Sequence, residues 1–514
     1  MSQSDLPNIL RNRKVLARWV SAVAAGVTAA VLAIAFTTPP GPGLDPDSAS
    51  YLGAAQSLAG GRGYRIPIAD WSTSDSTAPL SHFPPAYPTA LALPIALGAR
   101  PTNAARAIDA AAGFVDIALV LWLVASISGL GAGVAAVLAL FAMPAFVETH
   151  LSVLSEPLFL ACLVGTLVAM VSASRQTEEG ARLQRGVLAG IVAAAAMLTR
   201  YAGTAVVGAV VLWMLYLPGP PAARLRRAVI ASVPAIFLGS FWVLHLHLTS
   251  GVRGVRTIST YGGLLDTLAM GVSTIVAWVV PLMSDQTLPG RGWFALAGIV
   301  MLVIVVVRSY RTGGQSMART AIAAALTMAL CYVVVLVASR VLADPNIPFD
   351  NRILSPVFLL LTVIAAIAIR ECWRQWRLPA RIVSVALVLA WFGASITVVQ
   401  DEVSWALENG EDFAQEQWSK SPLLAWARLQ GSQRPLYTNW PAAVFFYLHR
   451  PSHEVPHDTA PDLRAFTDTV RTRNGVVIIF DTPSPGEIGA DALAQAAGFR
   501  RVARFADGSA FTVR

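Results

Sequence analysis

The sequence predicts an α-helical polytopic membrane protein of about eleven transmembrane helices, with a small C-terminal α/β domain. Three observations predict it. Hydrophobic residues make up 55% of the 514 positions and charged ones only 13%, against about 25% charged residues in an ordinary soluble domain. Apolar runs recur from Trp19 to Val399, most of them near the ~20 residues that cross a ~30 Å hydrocarbon core. After Gln400 the composition turns to Glu, Asp, Gln and turn residues, as a water-exposed domain requires. The mean hydropathy of +0.58 agrees with the first two.

The first run, Trp19 to Phe36, follows a basic leader of Arg11, Arg13, Lys14 and Arg18. Ala33-Ile34-Ala35 resembles a cleavage triplet, but the run is long for a signal peptide and many spans follow, so a retained first helix is expected. With that leader in the cytoplasm, the remaining spans fall at residues 104–127, 130–147, 157–173, 187–199, 202–217, 228–248, 293–307, 320–340, 353–369 and 382–399. The connectors then assigned to the cytoplasm hold Arg175, Arg182 and Arg185; Arg224, Arg226 and Arg227; Arg308, Arg311 and Arg319; and Arg370, Arg374, Arg377 and Arg381. Such an arginine excess is what the positive-inside bias demands. It accounts for the net charge of +8 without a nucleic-acid partner. Pro88 to Leu97 and Leu268 to Leu282 are apolar but short, and are read as re-entrant or surface-lying helices. Making only one of them a span would invert every later loop. Cys162, Cys331 and Cys372 lie in apolar runs or a basic connector, which argues against a disulfide framework and a cysteine metal site.

Residues 1–399, including a first loop at 37–103, are thus expected to form the membrane domain, and residues 400–514 an extracytoplasmic α/β domain. Within the tail, Pro435 to Thr438 and Gly475 to Asp481 read as strands and Pro461 to Arg471 and Ile488 to Ala497 as helices. Arg500 to Val513 reads as a final strand or hairpin. Outside the membrane fall the first loop, the turn Glu148 to Glu156 and the tail, and loops of such length are usually functional.

The first loop opens with Gly43-Leu44-Asp45-Pro46-Asp47-Ser48-Ala49-Ser50-Tyr51. Asp45 is placed to cap a helix with Pro46 at its first position, and Asp47 and Tyr51 then share a face. Capping suffices to explain Asp45. A carboxylate at the membrane surface beside a buried tyrosine is costly unless used or paired, which singles out Asp47. Further on, Pro84 and Pro85 set the chain direction before a helix that begins near Tyr87; His82 reads equally as a surface residue or a ligand contact. The turn Glu148-Thr149-His150 to Ser155-Glu156-Pro157 reads as a helix end followed by a new start capped by Ser155. There Glu156 either compensates the helix dipole or belongs to a site. Arg200 with Tyr201, Arg253, Arg256 and Arg352 contravene the positive-inside trend. They either pair with outer acids, as Arg352 with Asp350, or snorkel to headgroups, or converge as an anion site suited to a lipid phosphate.

The order of these motifs carries a resemblance. Asp47-x-x-x-Tyr51, Pro84-Pro85-x-Tyr87-Pro88, Ser155-Glu156-Pro157-Leu158, Leu198-Thr199-Arg200-Tyr201 and Asn351-Arg352-x-Leu354-x-Pro356 together resemble the polytopic GT-C glycosyltransferases. The nearest resemblance is to the glycosyltransferase 39 group, the bacterial relatives of protein O-mannosyltransferases and of the lipid A aminoarabinose transferase. The resemblance implies a sugar donor held on a polyprenyl phosphate, an acceptor at the outer face, and a catalytic aspartate in the first loop. By its spacing to the tyrosine that aspartate falls on Asp47. Many relatives follow it with glutamate, whereas Ser48 stands here, so any contribution of a second acid must come from Asp45, from Glu156 or from nowhere. Substrate contacts are expected from Tyr51, His82, Tyr87, His150, Arg200, Tyr201, Arg253, Arg256 and Arg352.

In the chemistry so implied, an acceptor hydroxyl attacks the anomeric carbon, a carboxylate takes its proton, and arginines stabilise the leaving phosphate. One base and no covalent nucleophile favour inversion. No cofactor is assigned; Asp45, Asp47 and Glu156 could hold a divalent ion, although hard cations want more oxygen ligands than these three supply. The expected partners are the donor, an extracytoplasmic glycan, lipid or protein acceptor, and membrane lipids. The rival reading is a transporter or lipid-carrier flippase, with charges in mid-helix along a pathway; only Asp116 stands out among the acids of the apolar runs. Lysine occurs only at Lys14 and Lys420, and this with much Ala, Arg and Val points to a bacterial plasma membrane.

Overall fold

In lipid no hydrophobic force drives helices together, so small residues that let backbones approach dominate the contacts, and this chain is rich in them. At Gly190, in the helix Glu179–Thr199, an added Cβ would stand 1.8 Å from the Ala231 carbonyl oxygen of the helix Pro221–Ser250. Any larger residue there would force the two helices apart. A computed structural model describes residues 6–37, 41–250, 261, 263–282, 288–312, 317–430, 434–456, 460–482 and 488–513. The chain divides into two compact units: Met1–Phe36, Ala107–Leu151 and Ser155–Trp405 form one, and Thr37–Arg106, Ser152–Leu154 and Ala406–Arg514 the other.

The first unit is helical. Among the described residues, nine helices are long and apolar enough to cross a membrane, or ten if Leu130–Phe141 and Pro144–Leu151 cross as one. The sequence treats that pair as a single straight span, but it is bent by 64°. Pro144 lacks an N–H and pushes Met143 out of the helical region, so the ladder breaks there. The remaining expected span is the 13-residue helix Thr204–Tyr216, which reaches only about 20 Å. The short helices Ala86–Ala96 and Leu264–Val279 lie where the sequence places its two short apolar elements. The first helix runs unbroken from Leu6 to Phe36, and Ala22 and Ala29 bury against the bundle core.

The second unit is a mixed sheet with flanking helices. β1 (Arg65–Ile66), β2 (Ile68–Ala69) and β3 (Ala78–Pro79) come from the first loop. β4 (Leu436–Thr438), β5 (Ser452–Glu454), β6 (Val476–Phe480), β7 (Phe499–Phe505) and β8 (Gly508–Val513) come from the tail. β1 pairs with β3, and the other six form one sheet in the order β2-β5-β4-β6-β8-β7. β2, β5, β4 and β6 run parallel, and the β7–β8 hairpin closes it antiparallel. β6 is apolar at every position because both its faces are covered. Val476, Ile478 and Phe480 face Leu423, Leu424 and Ala443, while Val477 and Ile479 face Tyr437, Phe466 and Phe499. The strands, hairpin and helices expected in the tail are all present. The sequence reading groups the first loop with the membrane spans; in the structure β2 is the edge strand of the tail's sheet, pairing Ile68 with Ser452 and Ala69 with His453. Two short edges so far apart in sequence carry no local signal of their pairing.

The same seam holds a titratable group. His453, 1% exposed, stacks on Tyr437 with ring centroids 4.9 Å apart, and its Nδ1 lies 3.1 Å from the Asp70 carbonyl. Burial holds the imidazole below its ordinary range and Arg473 adds to this, outweighing the Asp70 carbonyl. As pH falls below about 6.5 the unfolded chain therefore takes up this proton first, and stability is lost as pH falls through the lower folded value. The unfolding temperature in detergent is expected to drop between pH about 7 and about 5, and to drop less in His453→Gln. An equal drop in both proteins would show that His453 contributes nothing.

Candidate active site

The turn that carries the first acid motif is built as its sequence directs. Asp45, in extended backbone, accepts from the Asp47 amide at 3.0 Å, and Pro46 opens the helix Pro46–Ala59. Asp47 is half-buried in the first turn. Tyr51, 2% exposed, packs its ring 4.7 Å from Phe83 and 5.1 Å from Tyr87 between centroids. Tyr87 is fully buried, so both tyrosines form an aromatic wall inside this unit. His82 is exposed and meets Phe83 edge-on. Ser48, at the position where glutamate follows the aspartate in many GT-C relatives, is buried and donates to the Val153 carbonyl at 2.8 Å.

The helical unit gathers a second group. Glu156 opens the helix Glu156–Ser174 and is 1% exposed. Its Oε1 accepts from Arg200 Nη1 at 2.5 Å and from Arg352 Nε. Arg200 lies at a break in the chain, in extended backbone (φ −144°, ψ 138°) after the helix Glu179–Thr199. Arg352 is in the first turn of the helix Asn351–Trp373. Two guanidiniums thus share one carboxylate. Ser155 is not a side-chain cap: its hydroxyl donates to Glu156 Oε2 at 3.3 Å and accepts from Arg200 Nη1 at 3.1 Å. Charged partners are stronger than a backbone amide and take the hydroxyl away. Nor is Asp350 the partner that the structure gives Arg352; it caps its own helix, accepting from the Ile353 amide at 2.9 Å. Buried Tyr332 donates to the Ile353 carbonyl at 3.0 Å and secures the same helix start. Tyr201 is 41% exposed, its hydroxyl accepting from Trp242 Nε1 at 3.1 Å.

His150, expected from the sequence as a substrate contact, is held within the helical unit. It is 8% exposed, with Nε2 3.4 Å from Asp116 Oδ2 and Nδ1 2.9 Å from the Phe146 carbonyl. The one acid that stands out in the apolar runs is therefore matched by a histidine. Two further residues, Glu148 and Asn351, are missed by sequence reasoning as a pair. Asn351 Nδ2 donates to Glu148 Oε1 at 3.0 Å, and its Oδ1 accepts from Trp278 Nε1 at 3.0 Å. The signal lies in the motif Asn351-Arg352, whose first residue fixes an amide beside the arginine. Arg253 and Arg256 lie outside the described residues. Among the described residues no three His, Cys, Asp or Glu side chains gather as a metal cluster would.

Residues 82–245 match the family model for dolichyl-phosphate-mannose-protein mannosyltransferase. No curated protein sequence matches the chain. Solved structures do. ArnT from Cupriavidus metallidurans bound to undecaprenyl phosphate superposes with a TM-score of 0.58 at 16% identity, covering 96% of this chain and 97% of that one. The oligosaccharyltransferase AglB from Archaeoglobus fulgidus, in complex with an inhibitory peptide and a dolichol-phosphate, gives 0.56 at 13%, over 89% and 69%. The mycobacterial arabinofuranosyltransferase AftD gives 0.55 at 14%, over 95% of this chain but only 41% of its own. At such identities the likeness is one of fold, and the family-model match spans residues 82–245, so this multi-pass membrane protein is similar in fold to the GT-C glycosyltransferases.

Proposed function

We propose that the protein is a membrane glycosyltransferase that moves a sugar from a polyprenyl-phosphate-linked donor to a hydroxyl of an extracytoplasmic glycan, lipid or protein, with inversion. The observation that carries this reading is the pair Arg200 and Arg352 on the single buried carboxylate of Glu156. Two guanidiniums brought together at helix ends suit a phosphate ester, which they bind by charge-assisted hydrogen bonds. The lipid phosphates bound by ArnT and AglB support a polyprenyl carrier. In this reading Arg200 and Arg352 take the charge that develops on the leaving phosphate, and Asp47 takes the proton of the attacking hydroxyl. Asp45 caps the helix that carries Asp47. Glu156, tied to both arginines, holds their guanidiniums in place rather than moving a proton.

The test is reconstitution in vesicles with undecaprenyl-phosphate-linked mannose, arabinose and aminoarabinose as donor probes and a cell-envelope extract as acceptor. At least one probe is expected to yield undecaprenyl phosphate and a sugar joined to the envelope fraction with its anomeric configuration inverted. A carrier that crosses the bilayer with its sugar bond intact would establish a flippase instead. A reporter fused after Arg514 and active only in the cytoplasm would overturn the extracytoplasmic placement.

A further inference from the structure

The turn that carries Asp47 is not held by the first loop alone. Gly43 bridges Ser152 in parallel, and Leu44 bridges Asp412. The chain entering the turn is therefore clasped between the Ser152–Leu154 link and the start of the tail. The Val153 amide donates to the Gly43 carbonyl at 2.9 Å, the Leu44 amide to the Glu411 carbonyl at 3.4 Å, and the Phe413 amide to the Leu44 carbonyl at 3.1 Å. Across Gly43, Ser152 Oγ donates to Glu411 Oε2 at 2.9 Å. Ser48, just past Asp47, donates to the Val153 carbonyl at 2.8 Å. There is no room to spare: a Cβ on Gly43 would lie 2.1 Å from Ser152 Oγ and 2.9 Å from Glu411 Oε2. The tail bends to reach this place, with Asp412 in the left-handed region at φ 51°. Phe413 then roots the clasp, its ring packed on Trp418 and Trp440 and its carbonyl accepting from Tyr447.

We propose that Glu411 is a positioning residue for glycosyl transfer: through Ser152 its carboxylate locks a three-segment clasp that fixes the Asp45–Asp47 turn. The tail thereby orients the base without touching substrate. This rests on the assignment of Asp47 as the base. Isolated backbone bridges open readily in water, because a ladder this short is marginal by itself. A side-chain bond to a carboxylate is the stronger tie, and its position across Gly43 pins all three segments at once. Misplacing a catalytic group by about 1 Å costs up to about a hundredfold in rate, so loosening the clasp acts on turnover before it acts on donor binding.

Glu411→Ala, Glu411→Gln and Gly43→Ala in the full chain, beside Asp47→Asn, test this. Hydrogen exchange at the Leu44, Val153 and Phe413 amides, affinity for undecaprenyl phosphate, and turnover of the reactive donor probe are measured on each. Glu411→Ala and Gly43→Ala are expected to exchange faster at those amides, to bind undecaprenyl phosphate as the wild type does, and to lose about tenfold or more in kcat with KM unchanged. Glu411→Gln keeps an acceptor oxygen and should restore both exchange and kcat. Unchanged exchange in Glu411→Ala overturns the clasp, whether or not a donor has been found. Faster exchange at wild-type kcat, beside an inactive Asp47→Asn, removes the positioning role alone, as does a Glu411→Gln protein that restores neither readout. Wild-type turnover in Asp47→Asn overturns the base assignment and the inference that rests on it.

Discussion

Asp47→Asn is expected to bind donor normally and to turn over about a hundredfold or more slowly. Asparagine keeps the size of the side chain and much of its hydrogen bonding, but it cannot accept the proton of the attacking hydroxyl. Asp45→Asn is the internal control, because both changes remove one charge from the same turn. Asp45 accepts the Asp47 amide at 3.0 Å, and asparagine caps a helix nearly as well as aspartate, so this variant should stay close to wild type. Asp45→Ala removes the cap and is expected to cost about 1 kcal/mol of helix stability. Near-normal turnover in well-folded Asp47→Asn would sink the assignment; a loss confined to Asp45→Asn would move the base two residues upstream.

The arginine pair gives the second large effect. Arg200→Ala and Arg352→Ala should each weaken binding of undecaprenyl phosphate by about 1.5 to 3 kcal/mol, the worth of a charge-assisted contact. Each single variant leaves Glu156 with the other arginine, so the bundle should still fold. Removing both strands a carboxylate that is 1% exposed, and a buried charge without a partner costs about 3 to 5 kcal/mol. The double variant is therefore expected to unfold or express poorly, and Glu156→Gln in the same chain should restore folding without restoring lipid binding. Titration with undecaprenyl phosphate separates the two effects. Unchanged affinity in both single variants would take the arginines out of the phosphate site, and a raised KM with unchanged kcat would give them a uniform binding role only.

What the sequence determined by itself is local. Hydrophobic runs marked the helices, though not the 64° bend at Pro144 within one of them, and Asp45 with Pro46 marked a helix start that the structure keeps. The apolar run Val476–Phe480 and the closing hairpin were legible as strands, since burial and turn chemistry are properties of neighbouring residues. The motif order carried the resemblance that the fold comparisons support. Partnerships across the fold were not legible. Whether Arg352 would meet Asp350, two residues away, or Glu156, on another helix, depends on which is free once the helix cap is satisfied, and the cap took Asp350. Ser155 reads as a cap by position, but Arg200 and Glu156 claim its hydroxyl. Asp116 looked isolated until the bend after Met143 brought His150 to it. Nothing near Glu411 or Gly43 in sequence announces that they share Ser152, nor that β2 will complete a sheet begun by the tail. Tertiary structure decided these because each is a contest among distant donors and acceptors for a few buried places, and its outcome is set by packing rather than by spacing along the chain.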